Sequence, residues 1–388
     1  MLQQLLKHST QEFIQANKNE DLNRLLLNKA KFPDVPVQLA VEQIKAINKA
    51  KNKLPEWHNC SGIIFPPLLS MEQCSSEQTA QFKASKFSGN TMLDLTGGTG
   101  IDTYYLSKNF KKGTYVEQSE ELCEIAKHNF KTLSASNIEV VTNSAENFIE
   151  NTADQYDLIY IDPARRKALK KVFKFEDCTP DAVALLPELR ARCKTLIIKA
   201  SPMMDISLGL KSLGNETNVV VLAVENEVKE MLFVVGEKAA NVETVNLIGG
   251  SSQKFSFDLN EEKNCDVTIG TVDKYLYEPN SAILKSGAFK SIASKFNITK
   301  LGINTHLYTS TEEIKAFPGR KFKVNEVLSY DKKVLKSRFS KANIAIRNFP
   351  ESVAQIRKKL SISDGGDEYL FFISDHENKK KVLVCSKV

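Results

Sequence analysis

Apolar residues in the first 55 positions recur at helical spacing. Leu22, Leu25 and Leu26 mark one such face, and Val37, Ala40, Val41, Ile44 and Ile47 mark a second. Asp34-Val35-Pro36 reads as a cap with proline in the first turn of that second helix. Pro55, Pro66 and Pro67 then mark a loop region broken by one short apolar run, Gly62–Phe65. Ser75 and Gln78 stand at capping-box spacing, which predicts a helix over about 76–86. From Thr91 the pattern alternates. Strands are predicted over Thr91–Leu95, Gly113–Val116, Ile138–Val141, Asp157–Ile161 and Thr195–Ala200, with helices over Asp102–Phe110, Ser119–Leu133 and Thr179–Cys193. Such alternation predicts a parallel sheet covered by helices on both faces. Thr217–Val224 and Glu230–Val235 are separated only by Glu225–Lys229, short enough for a hairpin, so one of them runs antiparallel. Beyond residue 240, strand-like runs over 243–248, 254–259, 301–309, 321–328, 342–346, 368–373 and 380–385 interleave with helices near 281–295 and 350–360. That section reads as one or two small α+β modules.

A length of 388 residues suits two or three domains, and 42% apolar with 26% charged residues is close to a soluble globular average. No apolar run approaches the roughly 18 residues of a membrane helix, and MLQQLLKHSTQEFIQ lacks the features of a secretory leader. Seven scattered cysteines without a Cys-x-x-Cys pair suit reduced thiols in a cytoplasm, and no metal-ligand spacing appears. Neither a membrane nor a metal partner is therefore expected. The net charge of +6 is unevenly placed: residues 281–388 hold 21 Lys+Arg against 10 Asp+Glu, a surplus of 11, whereas the first 280 residues carry 32 against 37. A basic C-terminal region on a near-neutral body fits nucleic-acid binding, although scattered lysines also serve solubility.

The chemistry concentrates after the first predicted strand, in Thr91-Met92-Leu93-Asp94-Leu95-Thr96-Gly97-Gly98-Thr99-Gly100, which runs into Ile101-Asp102-Thr103. Residues with little side chain let backbone approach a ligand closely at such a turn. A P-loop would place Gly-Lys-Ser/Thr at the helix start. Here Ile101 and Asp102 follow Gly100, and an aspartate facing phosphate repels it. A zwitterionic, sulfonium-bearing ligand instead tolerates Asp94 and Asp102. Glu117 ends the next strand, where an acid can accept both ribose hydroxyls. Asn143-Ser144-Ala145-Glu146 follows the third strand, where an adenine ring would lie, and Ser144 and Ala145 are its expected contacts.

Asp162-Pro163-Ala164-Arg165-Arg166 stands at the carboxyl end of the fourth strand, the ligand edge of open α/β sheets. Amino-methyltransferases carry a related Asp/Asn-Pro-Pro-aromatic motif whose carboxylate and backbone carbonyl orient a target NH2 group. Asp162 and the Pro163 carbonyl suit that role; Ala164 and Arg165 replace the second proline and the aromatic residue. The string also resembles uridine carbon-5 methyltransferases, which need a nucleophilic cysteine after the fifth strand. That place reads Lys199-Ala200-Ser201-Pro202, so carbon-5 chemistry is disfavoured. Arg165 and Arg166 suit phosphate contact beside a target nucleotide, with surface ion pairs as the plain alternative.

Together these residues resemble class I S-adenosylmethionine-dependent methyltransferases, and more narrowly the bacterial THUMP-like-domain methyltransferases. Glu72-Gln73-Cys74-Ser75-Ser76-Glu77, Asp94–Gly100, Glu117, Asp162–Arg166, Lys199-Ala200-Ser201-Pro202, Glu278-Pro279-Asn280 and Lys285-Ser286-Gly287 carry the resemblance. It implies an α/β class I methyltransferase (Rossmann-like) sheet with an N-terminal helical region and C-terminal α+β modules. The corresponding boundaries are 1–87 helical, 88–238 methyltransferase, 239–319 ferredoxin-like and 320–388 THUMP-like. It implies S-adenosyl-L-methionine at Asp94, Thr96, Gly98, Gly100, Asp102, Glu117, Ser144 and Ala145. By analogy with cap-type guanine methyltransferases, Gln73 and Ser75 join the methionine end. Catalytic roles fall to Asp162 and Pro163, and substrate contact to Arg165, Arg166 and Lys199. The implied partner is RNA, ribosomal or transfer, matching the basic C-terminal region. A protein or small-molecule substrate, and a non-catalytic RNA-binding module, remain alternatives at this point.

Overall fold

The computed structural model describes residues 1–165, 174–214, 216–236 and 241–388. The chain forms two compact units, 1–217 with 232–238, and 218–231 with 239–388.

The first unit opens with helices. α1 (Val37–Lys53) buries Val37, Ala40, Val41 and Ile44, the apolar face expected from the sequence, against Leu5, Phe13, Ile14 and Leu25. Pro36 rather than Asp34 stands at its N-cap. The expected loop at 55–73 contains two short helices, Pro55–Asn59 with Pro55 in its first turn and Trp57 fully buried, and α2 (Leu68–Gln73). α3 (Glu77–Lys86) is capped by Ser76, whose Oγ accepts from the Thr79 N–H. The cap therefore falls one residue after Ser75, which leaves the Ser75 hydroxyl for another use.

The sheet of this unit comprises β1 (Gly89–Asp94), β2 (Phe110–Glu117), β3 (Ile138–Thr142), β4 (Tyr156–Ile161), β5 (Cys193–Ala200) and the end of a later strand, residues 232–235. Their order is β3-β2-β1-β4-β5, all parallel, with residues 232–235 beside β5. α4 (Ile101–Ser107), α5 (Glu120–Thr132) and α6 (Ala145–Asn151) are the crossover helices. Met92, Leu93, Val116, Ile159, Ile197 and Ile198 fill the strands with core residues less than 1% exposed. β1 pairs with β2 on one side and β4 on the other, so the chain reverses its direction of travel across the sheet there. Open α/β sheets hold ligands at that switch point. A helix through 179–193 would carry Pro187 in its interior, where it removes a hydrogen bond. The helix instead begins at Leu186 with Pro187 in its first turn, while Cys178–Thr179 form a two-residue ladder with Ala164–Arg165.

In the second unit, β6 (Thr217–Val224) turns into β7 (Glu227–Val235) through Glu225 and Asn226, with φ of 49° and 64°. Two consecutive positive φ values are the type I′ hairpin geometry, so β6 and β7 run antiparallel as the short link requires. β8 (Asn241–Ile248) pairs parallel with β6, and β9 (Ser251–Asp258) pairs antiparallel with β8. The sequence placed these two runs in the section after residue 240; they pair onto β6 within the compact unit that also holds 239–388. A further sheet has the order β11-β12-β10-β13-β16-β15-β14, from β10 (Tyr275–Pro279), β11 (Thr299–Lys300), β12 (Tyr308–Ser310), β13 (Gly319–Ser329), β14 (Asn343–Arg347), β15 (Glu368–Ser374) and β16 (Lys380–Lys387). The helix expected over 281–295 is broken in two, because Gly287 ends the first piece at φ 79°. Asn280 caps that piece, so Glu278-Pro279-Asn280 and Lys285-Ser286-Gly287 bracket one short helix. Buried Glu278 binds both Arg320 and Arg347, tying β10, β13 and β14 together.

Gly209, in the helix Ile206–Leu213, lies against the Phe233 ring, and a Cβ there would come within 2.5 Å of it. Alanine offers about 1 kcal/mol of helix propensity, but overpacking costs about 1–3 kcal/mol. Gly209→Ala is therefore expected to lower the thermal midpoint, and a raised midpoint would show that the ring has room to move.

Candidate active site

β1 carries Asp94 into the core, where it is 1% exposed. Its Oδ1 accepts from the Thr96 N–H at 3.0 Å and its Oδ2 from the Thr103 hydroxyl at 2.6 Å. Asp94 thus pins the glycine turn to the first turn of α4. Burial pushes its carboxyl up to about 7, against the Thr103 and Thr96 bonds, with Asp102 and Asp162 adding to the rise. Thr96 Oγ1 accepts from the Asp162 N–H at 2.6 Å, stapling the turn to the end of β4.

Within the turn the glycines have different jobs. A Cβ on Gly97 would stand 2.2 Å from the Tyr115 ring, so only glycine fits there. Gly98 and Gly100 adopt φ of 54° and 80°, the left-handed region that favours glycine. Gly98 donates its N–H to Glu117 Oε2 at 3.1 Å and accepts from the Tyr115 hydroxyl at 2.7 Å. Gly100 faces Phe130 instead, 2.9 Å from where its Cβ would be, and supports the turn from behind.

The turn lines a cavity of about 290 Å³ at the carboxyl ends of β1, β2 and β4. Glu117 sits on its wall, with Oε1 accepting from the Ser119 N–H at 2.8 Å. Ser119, not Glu117, caps α5. Each Glu117 oxygen keeps a second lone pair for a hydroxyl donor. At the end under β3, Asn143, Ala145 and Glu146 line the cavity. Ser144, expected there, caps α6, its hydroxyl oxygen accepting from the Asn147 N–H at 3.1 Å.

The opposite end is walled by Ser70, Gln73, Cys74 and Ser75, with Asp102, Tyr160 and Asp162 beneath. Asp102 is the junction. Its Oδ2 accepts from the Ser75 hydroxyl and the Tyr160 hydroxyl, each at 2.8 Å, and its Oδ1 lies 3.1 Å from the fully buried Lys83 ammonium. Burial works to raise the Asp102 carboxyl, but Lys83, Lys199, Tyr160 and Ser75 together hold it below the ordinary value. The Lys199 ammonium lies 4.0 Å from Asp102 and 2.6 Å from Asp162 Oδ2. Asp162 is the exposed member, at 38% of its side chain. Pro163 follows it, half-buried. Arg165 is described in its backbone, which pairs with Cys178, and Arg166 lies outside the described residues.

The structure thus gathers Gln73, Ser75, Asp94, Thr96, Gly98, Asp102, Glu117, Ala145 and Asp162 around one cavity and brings Lys199 to it through Asp162. Sequence reasoning passed over Gly97, Tyr160 and Lys83. Tyr160 precedes Asp162 by two residues and so shares its face of the strand. Lys83 follows Thr79 and Ala80 by four and three residues, a lysine inside the buried face of α3. That misplaced charge was the available signal.

A glycine-walled cavity between an acid on β2 and an Asp-Pro on β4, in a sheet with an antiparallel strand beside β5, is the ligand site of class I S-adenosylmethionine-dependent methyltransferases. The residues present fit that cofactor: Gly98 leaves open backbone on the cavity wall, where a Cβ would meet nothing nearer than 3.6 Å.

Three family descriptions match the sequence: "Conserved hypothetical protein 95" over 77–176, a ferredoxin-like domain over 275–318 and a THUMP domain-like region over 319–387. Among solved structures, the "putative methyltransferase" from Porphyromonas gingivalis W83 is 32% identical, with a TM-score of 0.90 over 98% of this chain and 97% of that one. The "putative methyltransferase yhhF" from Escherichia coli is 20% identical over 42% of this chain and 85% of that one, at a TM-score of 0.31. Comparison with the curated proteins finds no match. The chain belongs to the family of the Porphyromonas protein, class I methyltransferases with ferredoxin-like and THUMP-like domains.

Asp94 also sets a pH dependence. Its folded value of about 7 lies above the ordinary 3.8, so between those values the unfolded chain has shed a proton that the folded chain retains. Stability from this group therefore falls as pH rises from about 4 to 7. Thermal midpoints of Asp94→Asn and the unaltered protein, compared across that window, are expected to shift in the variant's favour with rising pH. A constant difference would contradict the assignment.

Proposed function

We propose that the protein methylates an exocyclic amine of a nucleobase in structured RNA, ribosomal or transfer. The observation that carries this reading is the position of Asp162. It ends β4 at the cavity, its backbone is fixed by Thr96, and one carboxylate oxygen is held by Lys199. S-adenosylmethionine supplies an electrophilic methyl group on a sulfonium. Glu117 would hold its ribose, Asn143, Ala145 and Glu146 its adenine, and Gln73 and Ser75 its amino-acid end.

With Oδ2 occupied by Lys199, Oδ1 of Asp162 is the oxygen left to accept from a target N–H. The Pro163 carbonyl is the second acceptor in this reading, and the two aim the nitrogen lone pair into the cavity. A neutral amine needs alignment more than a strong base, and alignment alone accounts for large rate factors. Carbon-5 chemistry places its nucleophilic cysteine after the fifth strand, and that position reads Lys199-Ala200-Ser201-Pro202 here. Cys193 opens β5 at the end remote from Lys199, and its Sγ donates to the Leu189 carbonyl at 3.1 Å. Two features support RNA: the surplus of 11 positive charges over 281–388 and the THUMP domain-like match over 319–387. Arg165 and Arg166 would contact phosphate beside the target.

Asp162→Ala is expected to keep its affinity for S-adenosylhomocysteine while methyl transfer to RNA from a strain lacking the protein falls at least about 100-fold. Near-full transfer would remove Asp162 from the reaction. Mass spectrometry of nucleosides from that strain and its parent identifies the product, and methyl label in protein alone would reverse the substrate assignment. RNA affinity should also drop at least about 10-fold between about 50 and 200 mM salt, since phosphate contacts release counterions. An affinity indifferent to salt would exclude the basic region as the contact.

A further inference from the structure

The wall formed by residues 70–75 does not belong to the sheet, yet lysines from the N-terminal helices fix it from two sides. From α1, the Lys53 ammonium donates to the carbonyls of Met71 and Glu72, both at 2.9 Å, and closes the carboxyl end of α2. From α3, the Lys83 ammonium donates to Ser75 Oγ at 2.9 Å and pairs with Asp102 Oδ1 at 3.1 Å. Since Ser75 Oγ accepts from Lys83, its own proton goes to Asp102 Oδ2 at 2.8 Å, which fixes the hydroxyl's rotation. Lys83 is fully buried and Ser75 is 5% exposed.

We propose that Lys83 is a positioning residue for the cofactor's amino-acid end: through Ser75 and Asp102 it makes the N-terminal helices a working wall of the cavity. The inference rests on the cofactor reading above. Two physical points favour it over a purely structural role. A buried ion pair contributes little net stability against an apolar replacement, so stability alone is a poor reason for a lysine in the buried face of α3. The contacts of Lys83 with Ser75 and Asp102 also lie at one end of the cavity. Glu117 is fixed by Gly98 and Ser119, and Asn143 accepts from Ser144 and Asn147, at the end under β2 and β3. Loss of Lys83 should therefore be felt by a ligand that reaches residues 70–75 and ignored by one that stops at the ribose.

Two ligands make that distinction by titration calorimetry. S-adenosylhomocysteine carries the amino-acid end, and 5′-methylthioadenosine lacks it. In Lys83→Met, affinity for the first is expected to fall at least about 10-fold, the scale for losing a charged hydrogen bond, while affinity for the second stays within about 2-fold. The double variant Lys83→Met with Asp102→Asn leaves no lone buried charge and keeps the test open if the single variant unfolds; it is expected to show the same selective loss. Equal loss for both ligands, or loss for neither, would overturn the positioning role. Binding of neither ligand by the unaltered protein would instead overturn the cofactor reading, and this inference with it.

Discussion

Asp102 is a carboxylate in the first turn of α4 that is almost wholly withdrawn from water, and the site depends on what keeps it charged. Removing one ion from water costs several kcal/mol even after relaxation. The cost is offset only because four chain segments converge on this one group: Ser75 ahead of α3, Lys83 within α3, Tyr160 on β4 and Lys199 on β5. The start of α4 contributes as well, since a helix N-terminus favours negative charge. Each contact ties a different element to the turn after β1. The cavity's shape follows from satisfying one buried ion.

Four acids of the site show how environment divides labour among similar groups. Asp94, buried among hydrogen bonds without a cation beside it, is pushed toward neutrality at about 7 and acts as a fastener for the turn. Asp102, also buried but facing two ammonium groups, is held in its charged form. Glu117 spends one interaction per oxygen on backbone N–H groups and retains lone pairs toward the cavity. Among the described residues, Asp162 is the acid of the four that combines a 38% exposed side chain with a backbone fixed by Thr96 and a lysine partner in Lys199. In the proposed reading it is the acid that offers an oxygen to the substrate.

The sheet was legible because its signals are local: apolar runs of strand length, the glycine turn, and a hairpin link too short for a crossover. Its limits were set by non-local facts. Ser75 and Ser76 are adjacent, both cap-compatible, and only Asp102 and Lys83, distant in sequence, decide that Ser76 caps α3 while Ser75 serves the site. Ser144 has a second job that the sequence did not announce: its hydroxyl oxygen caps α6, a helix of seven residues. That β8 and β9 pair onto β6 leaves no local mark in the sequence. Gly97 was hidden among four nearby small residues, and its necessity lies in the Tyr115 ring on the neighbouring strand.

The ladder from Lys83 to Asp162 also constrains how the site can present its acceptor. Lys199 is shared, 2.6 Å from Asp162 and 4.0 Å from Asp102, so the two carboxylates draw on one cation. Any movement of Lys199 toward Asp102 releases Asp162 Oδ2, and any movement toward Asp162 leaves Asp102 more dependent on Lys83. Lys83 is fully buried and Lys199 is nearly buried. In the proposed reading, Asp162 Oδ1 and the Pro163 carbonyl together accept from a target nitrogen and leave its lone pair free. In that reading an exocyclic amine can donate to both acceptors, and a ring carbon, with no N–H, cannot.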